Sequence, residues 1–436
     1  MLTQLQSHLQ QNLPLLKGKK LLLAVSGGID SMVMLHLFHT LDYEIAIAHC
    51  NFNLRDKESD GDEDFVKQQA QKYNNEIFIT HFDTERFASD NKLSVQVAAR
   101  QLRYLWFYQL MEKHNYDFVL TAHHLDDVIE TFLINTTRGT GIEGLTGIPQ
   151  QNDKIIRPLL PFSREEVLQY AKEHTITWRE DSSNNSNKYL RNKLRHDVIP
   201  VLKSLNPSFT DSFRETINHL QQTKSLAEDA SVLIYKQVVT ENKGQKIFNI
   251  KELKRLPNYP AYLYQWLKPF GFTAWDDIYA LADAQPGKQI YANGYRLLKD
   301  REILVLEPEK TEDANTYTIT DSESEIHTPV RLRLQKVIKY PDKSDKNEIY
   351  VNNQLIKFPL FVRKWQEGDY FYPFGMNGQK KKVSKFFKDE KMSLSDKENT
   401  WLLCSENKII WIIGHRADER FKVTENTTQI LKIAVL

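Results

Sequence analysis

Residues 21–25 form an apolar run, and the polar turn Ser26-Gly27-Gly28-Ile29-Asp30-Ser31 follows it. Beyond the turn, Met32, Leu35, Phe38 and Leu41 recur at helical spacing, with Val33, Met34 and Leu37 between them. This pattern predicts a core strand, a tight turn and a well-buried helix. Strand-like and helix-like segments then alternate to about residue 175. The predicted strands cover 21–25, 44–49, 76–81, 117–122 and 155–159, and the predicted helices 31–41, 62–73, 94–114, 126–137 and 164–174. Such alternation implies an α/β fold with a doubly wound parallel sheet covered on both faces. Ligands of these sheets bind at the carboxyl ends of the strands. The segments 26–31, 49–55 and 123–127 all follow strands and are expected to face one crevice.

The pattern changes after Asn206-Pro207. An amphipathic stretch from Asp211 to about Thr240 and shorter segments holding Tyr259, Tyr262, Tyr264, Trp266 and Trp275 predict a mostly helical region. Residues 316–320 and 330–334 alternate polar and β-branched positions, as strands do. Strand-like segments at 408–413 and 428–435 flank a basic helical patch and predict a small α+β domain. The expected organisation is 1–205 catalytic, 206–310 helical, 311–350 a linker with strands, and 351–436 the C-terminal α+β domain.

Composition narrows this picture only a little. Of 436 residues, 41% are apolar and 26% charged, as in ordinary globular proteins. No stretch approaches the roughly 18 to 20 apolar residues of a membrane span. The first eleven residues are polar and lack the core of a signal peptide. Cys50 and Cys404 lie far apart and make no zinc site or disulfide framework, which points to a reducing cytoplasm. The net charge of +1 neither demands nor excludes a polyanion, but its distribution is uneven. Six carboxylates crowd 56–64, five cationic side chains lie within 188–203, and Lys380, Lys381, Lys382, Lys385 and Lys388 form another basic cluster. Two basic clusters in separate regions hint at an extended polyanion.

Five stretches carry candidate chemistry. In the first, a glycine turn between a strand and a helix start leaves backbone N–H groups aimed at one spot, which suits an anion. Ser26 and Ser31 add hydroxyls, and Asp30 beside a phosphate makes sense if Mg²⁺ lies between them. The Gly-Lys-Ser/Thr ending of a Walker A loop is missing. The second stretch, Thr121 to Thr131, runs from a strand end into a helix. It places Asp127 and Glu130 on one helix face, with Asp126 as a helix cap and His123 and His124 beside them. These acids would suit a cationic ligand such as an amine. Third, Arg100 and Arg103 share a helix face and could meet a carboxylate or phosphate. Fourth, Arg138 opens a segment with four glycines between 139 and 147, read as a flexible loop able to act as a lid or to touch a polymer. Fifth, a polar turn at 181–184 leads from Trp178 to Arg191, Lys193 and Arg195, a basic segment suited to phosphate.

The first stretch resembles the Ser-Gly-Gly-x-Asp-Ser signature of PP-loop ATP pyrophosphatases, adenine nucleotide α-hydrolase-like enzymes that split ATP between its α and β phosphates. The order of all five resembles the tRNA(Ile)-lysidine synthetase family, through residues 26–31, 100–104, 123–131, 138–147 and 178–195. The likeness continues in Gly368-Asp369, Pro373-Phe374-Gly375 and residues 411–416. It departs after the second strand, where His49 is followed by Asn51, Phe52 and Asn53 and the family's second histidine is missing. It departs again at Val383-Ser384, where the family commonly has Leu-Lys-Asp after its paired lysines. The resemblance implies a cytoplasmic ligase that joins L-lysine to C2 of the wobble cytidine of a CAU anticodon, using ATP and Mg²⁺. It assigns Ser26, Gly27, Gly28, Ile29 and Ser31 to ATP, and Asp30 to the metal. Asp127 and Glu130 are assigned to the lysine ammonium groups, Arg103 to the lysine carboxylate, and His123 to phosphate or proton transfer. The expected tRNA contacts are Arg138, Arg191, Arg195, Lys380, Lys381, Lys382 and Lys385, with a homodimer left open. A PP-loop tRNA thiolase is disfavoured by the lack of paired cysteines, and an amidotransferase by the lack of a glutaminase region. A non-catalytic ATP-dependent RNA binder is disfavoured by the acids of 123–130.

Overall fold

The computed structural model describes residues 1–54, 57–180, 190–242, 244–309, 315–339 and 346–436. The chain divides into two compact units, Met1–Asp229 and Ala230–Leu436.

The first unit is built on a sheet that in the described residues has six strands. In chain order its elements are α1 (Leu2–Asn12), β1 (Leu21–Ala24), α2 (Ile29–Thr40), β2 (Ile45–Asn51), α3 (Lys57–Lys72), β3 (Ile77–His81), α4 (Thr84–Asp90), α5 (Val95–His114), β4 (Phe118–Leu120), α6 (Leu125–Arg138), α7 (Ile142–Leu145), β5 (Gln151–Asn152), β6 (Ile155–Ile156), α8 (Arg164–Glu173), α9 (Leu190–Lys193) and α10 (Ile199–Leu205), and α11 (Phe209–Val238) begins within it. The strand order is β3-β2-β1-β4-β6-β5, parallel except for the edge pair β5–β6. Alternate residues of β1 serve opposite layers, as the two-residue period of a strand requires. Leu21 and Leu23 pack into one core with Leu5, Leu9, Met32, Leu35 and Val167, whereas Leu22 packs into the other with Phe107, Leu110 and Met111. The doubly wound reading therefore holds. The sequence did not show the antiparallel edge, because β5 and β6 have only two residues each and lie within a loop-like stretch.

The second unit departs more from expectation. It is helical in α12 (Ile250–Lys254), α13 (Tyr259–Leu267) and α14 (Trp275–Leu281). It also holds an antiparallel sheet of β7 (Val239–Asn242), β8 (Gln245–Asn249), β9 (Gln289–Ala292), β10 (Tyr295–Asp300) and β11 (Ile303–Pro308), in the order β7-β8-β11-β10-β9. Of the aromatic residues of 259–275, Trp266 is buried in the core of this helix-and-sheet layer with Leu263 and Phe248, and Tyr259, Tyr262 and Trp275 are partly buried against it. The described residues of 315–436 carry three further antiparallel sheets, of five, four and two strands, and two short helices, Val383–Asp389 and Leu394–Asn399, in agreement with an α+β reading. Among the described residues no helix is long and apolar enough to cross a membrane.

Candidate active site

The ends of β1, β2 and β4 and the starts of α2 and α6 surround a cleft of about 270 Å³. Its walls include Ser26, Gly28, Asp30, Ser31, Phe52, Arg103, His123, Asp127 and Arg191. Gly27 makes the turn at φ +92°, a region that a side chain rarely tolerates. Gly28 then starts α2 with no side-chain cap on the helix end. Uncapped N–H groups at a helix start are a ready anion site. The serines brace the loop from within: Ser31 Oγ donates to Gly28 O at 2.9 Å and accepts from Ser26 N at 3.2 Å. Arg179 N donates to Gly27 O at 3.0 Å and clamps the turn from outside.

Asp30 stands at the first turn of α2. Its Oδ1 is buried without a hydrogen-bond partner. Burial pushes its pKa above the usual carboxylate value; His124 opposes that shift and Asp127 adds to it. A partly desolvated carboxylate with an orphaned oxygen fits a cation. The described residues offer no cluster of three or more metal-type side chains. That donor set suits Mg²⁺, which commonly takes one or two carboxylates and completes its shell with waters and phosphates.

His124 is the residue whose importance the sequence reading missed. Its side chain is 2% exposed, and Nε2 lies 3.7 Å from both Asp30 Oδ1 and Asp127 Oδ2. These separations are too long for hydrogen bonds but close enough for His124 to bear on both carboxylates. Asp127 Oδ2 also accepts His124 N at 3.0 Å and so caps α6. Burial alone would raise the Asp127 pKa, but His124, His123, that backbone N–H and Arg191 together hold it below the usual value. His123 Nδ1 meets Thr121 Oγ1 at 3.0 Å, and burial pushes its pKa down to about 4. It is therefore a neutral imidazole near pH 7. Cys50 lines the cleft as well, but burial raises its pKa to about 12, so it is no thiolate nucleophile. Arg103 reaches the cleft with its guanidinium 5.2 Å from the centre of the Phe52 ring, while Arg100 is exposed and lies over Tyr104.

Several expectations need correction. Glu130 does not face the cleft: it has no exposed surface, and its carboxylate is bonded by Arg191 at 2.7 Å and Arg195 at 2.6 Å. These arginines are thus internal ion-pair partners as well as basic residues. Asp126 does not cap its own helix. It accepts Arg164 N at 2.8 Å, at the start of α8, and Lys203 Nζ at 3.2 Å. The glycine-rich segment after Arg138 folds partly into α7, with Asn135 Nδ2 donating to Gly144 O at 2.9 Å, and Arg138 itself is exposed. The 181–184 turn and residues 55–56 lie outside the described residues. In the second unit, Lys380 stands 3.5 Å over the Tyr370 ring, Lys381 pairs with Asp389 at 2.8 Å, and Lys382 and Lys385 are exposed.

Comparison with known proteins places this geometry in a family. A family model described as PP-loop domain matches residues 1–202, one described as TilS substrate binding domain matches 241–309, and one described as TilS substrate C-terminal domain matches 360–434. The tRNA(Ile)-lysidine synthase of Bacteroides thetaiotaomicron is 39% identical over 95% of both chains. That of Parabacteroides distasonis is 37% identical over 96% of both. That of Porphyromonas gingivalis strain W83 is 36% identical over 94% of this chain and 92% of its own. The chain therefore belongs to the tRNA(Ile)-lysidine synthase family, ligases that modify tRNA.

Proposed function

We propose that this enzyme joins free L-lysine to C2 of the wobble cytidine in the CAU anticodon of tRNA(Ile). In the first step the cytosine O2 attacks the α phosphate of ATP; a P–O bond forms and pyrophosphate leaves. In the second, a lysine amine attacks C2, loses a proton, and expels AMP. The observation that carries this reading is that one cleft contains both an uncapped helix start after the glycine turn and a buried acid, Asp127, held ionised. The first suits polyphosphate, and the second suits an ammonium group.

Each side chain has work consistent with its setting. Ser26, Gly27, Gly28, Ile29 and Ser31 would cradle the leaving pyrophosphate at the start of α2. Asp30 would hold Mg²⁺, which supplies charge neutralisation to the phosphates when bound. Asp127 would receive the lysine cation, and Arg103 the lysine carboxylate. Neutral His123 would offer a hydrogen bond to phosphate or nucleophile without adding charge. Arg138 and the exposed lysines of 380–385 would meet RNA phosphates, and the regions 206–310, 311–350 and 351–436 would serve the tRNA body. The test is incorporation of labelled lysine into a CAU-anticodon isoleucine tRNA transcript with ATP and Mg²⁺, followed by mild alkali. Label that survives alkali marks a lysine–base bond. Label lost in alkali, as from an ester, would contradict the reading.

A further inference from the structure

Glu130 is one helical turn beyond Asp127 on α6 and is fully buried. A carboxylate is tolerated away from water only where cations and donors replace its hydration. Two guanidinium groups do so here, each through Nε: Arg191 on Oε2 and Arg195 on Oε1. Using Nε for the anchor leaves the Nη ends of both arginines directed elsewhere. Arg195 Nη2 comes within 3.7 Å of Asp127 Oδ1. Arg191 Nη2 is 4.0 Å from the same oxygen and 3.3 Å from Thr131 Oγ1. The arginines differ in exposure, 44% for the Arg191 side chain against 23% for Arg195. Arg191 lines the cleft together with Ser26, Gly28 and Asp30.

We propose that Glu130 is a positioning residue, and that Arg191, held by it, is a cleft contact to a phosphoryl oxygen of the nucleotide. This rests on the reading of the cleft as an ATP site. A guanidinium is a rigid fork that matches phosphate oxygens, and anchoring one edge on a buried carboxylate fixes where the other edge points. The cleft also needs such a group. Asp30 and Asp127 are both acidic, and a polyphosphate beside them meets like charge on that wall. Arg191 is the cleft-lining cation on α9, next to Asp127, and it stands where it can offset that repulsion. Glu130 thus controls nucleotide binding from outside the cleft and does not touch lysine.

The test compares Glu130→Gln, Arg191→Ala and the double variant in the full chain. ATP affinity is measured by calorimetry with Mg²⁺ and no RNA, and the lysine KM separately in the full reaction. The expected result is ATP affinity weakened about 10- to 100-fold in each single variant, the scale of one charge-assisted hydrogen bond. The double variant should be no worse than either single one, because both act through one contact. The lysine KM should stay unchanged. A raised lysine KM with unchanged ATP affinity in Glu130→Gln would overturn the proposal and return Glu130 to the amine. Unchanged ATP affinity in Arg191→Ala would also overturn it. Should Glu130→Gln fail to fold, Arg191→Ala changes a half-exposed side chain and carries the test alone. Because ATP binding is read without lysine or RNA, this outcome is independent of whether the unaltered chain forms lysidine.

Discussion

The cleft of the first unit and the basic face of the second use charge in opposite ways. Around the cleft the ionisable groups are withdrawn from water and set against one another: Glu130 behind the cleft between two arginines, and His124 between two aspartates. In the second unit Lys382 and Lys385 are exposed, and Lys380 rests on an aromatic ring. Buried groups held by fixed partners have fixed positions, which is what bond-making requires. Exposed charges are screened and mobile, which is enough to hold a polyanion but not to place an atom. The difference teaches where chemistry and where grip should be sought in this chain.

The sharpest way to break that comparison is Asp30→Asn. If Asp30 is the cleft's cation ligand, pyrophosphate release should fall by about 1,000-fold or more, while tRNA affinity measured by filter binding stays intact. A parallel loss of tRNA affinity would show that the two regions are not separable.

Burial makes a second prediction, for pH. The folded-state pKa of His123, about 4, lies below its unfolded value of 6.5. Between those values the unfolded chain binds a proton that the folded chain refuses. The contribution of His123 to stability is therefore complete above about pH 6.5 and is lost as pH falls toward 4. The loss is at most about 3 kcal/mol. Thermal melts of the unaltered chain and His123→Gln between pH 7 and 4.5 should converge as pH falls; parallel curves would mean that the imidazole is not held neutral.

The smallest expected effect is on the exposed face. Replacing Lys380, Lys382 and Lys385 together by glutamine should weaken tRNA binding about tenfold and flatten its salt dependence, by up to about 0.9 in log–log slope per lost phosphate contact. Turnover at saturating tRNA should not change. An unchanged salt slope would remove these lysines from the interface.

Much of the first unit was legible because its signals are local. A five-residue apolar run, two glycines and a helical period identify β1, the turn and α2 without any long-range contact. The cleft residues Asp30, Arg103, His123 and Asp127 were legible for the same reason, since each sits at a strand end or on a helix face that the period defines. What failed was pairing at a distance. Nothing near Glu130 in sequence announces Arg191 and Arg195, which lie 61 and 65 positions away. The two histidines also could not be ranked from sequence, because burial decides that His124 stands between the acids. In the second unit the helical reading overlooked a hairpin signal. Asn293-Gly294 lies between β9 and β10, and both residues have positive φ, as the two-residue hairpin turn demands. The aromatic residues upstream of it drew the reading toward helix, although they pack against both helix and sheet.

The most direct test of the central claim, that the cleft activates the base rather than the amino acid, follows the α phosphate of ATP. The enzyme is incubated with α-labelled ATP, Mg²⁺ and the tRNA transcript in the absence of lysine. Label should become attached to the tRNA and be released as AMP when lysine is added. Label that never joins the tRNA, with ATP cleaved only when lysine is present, would contradict the account.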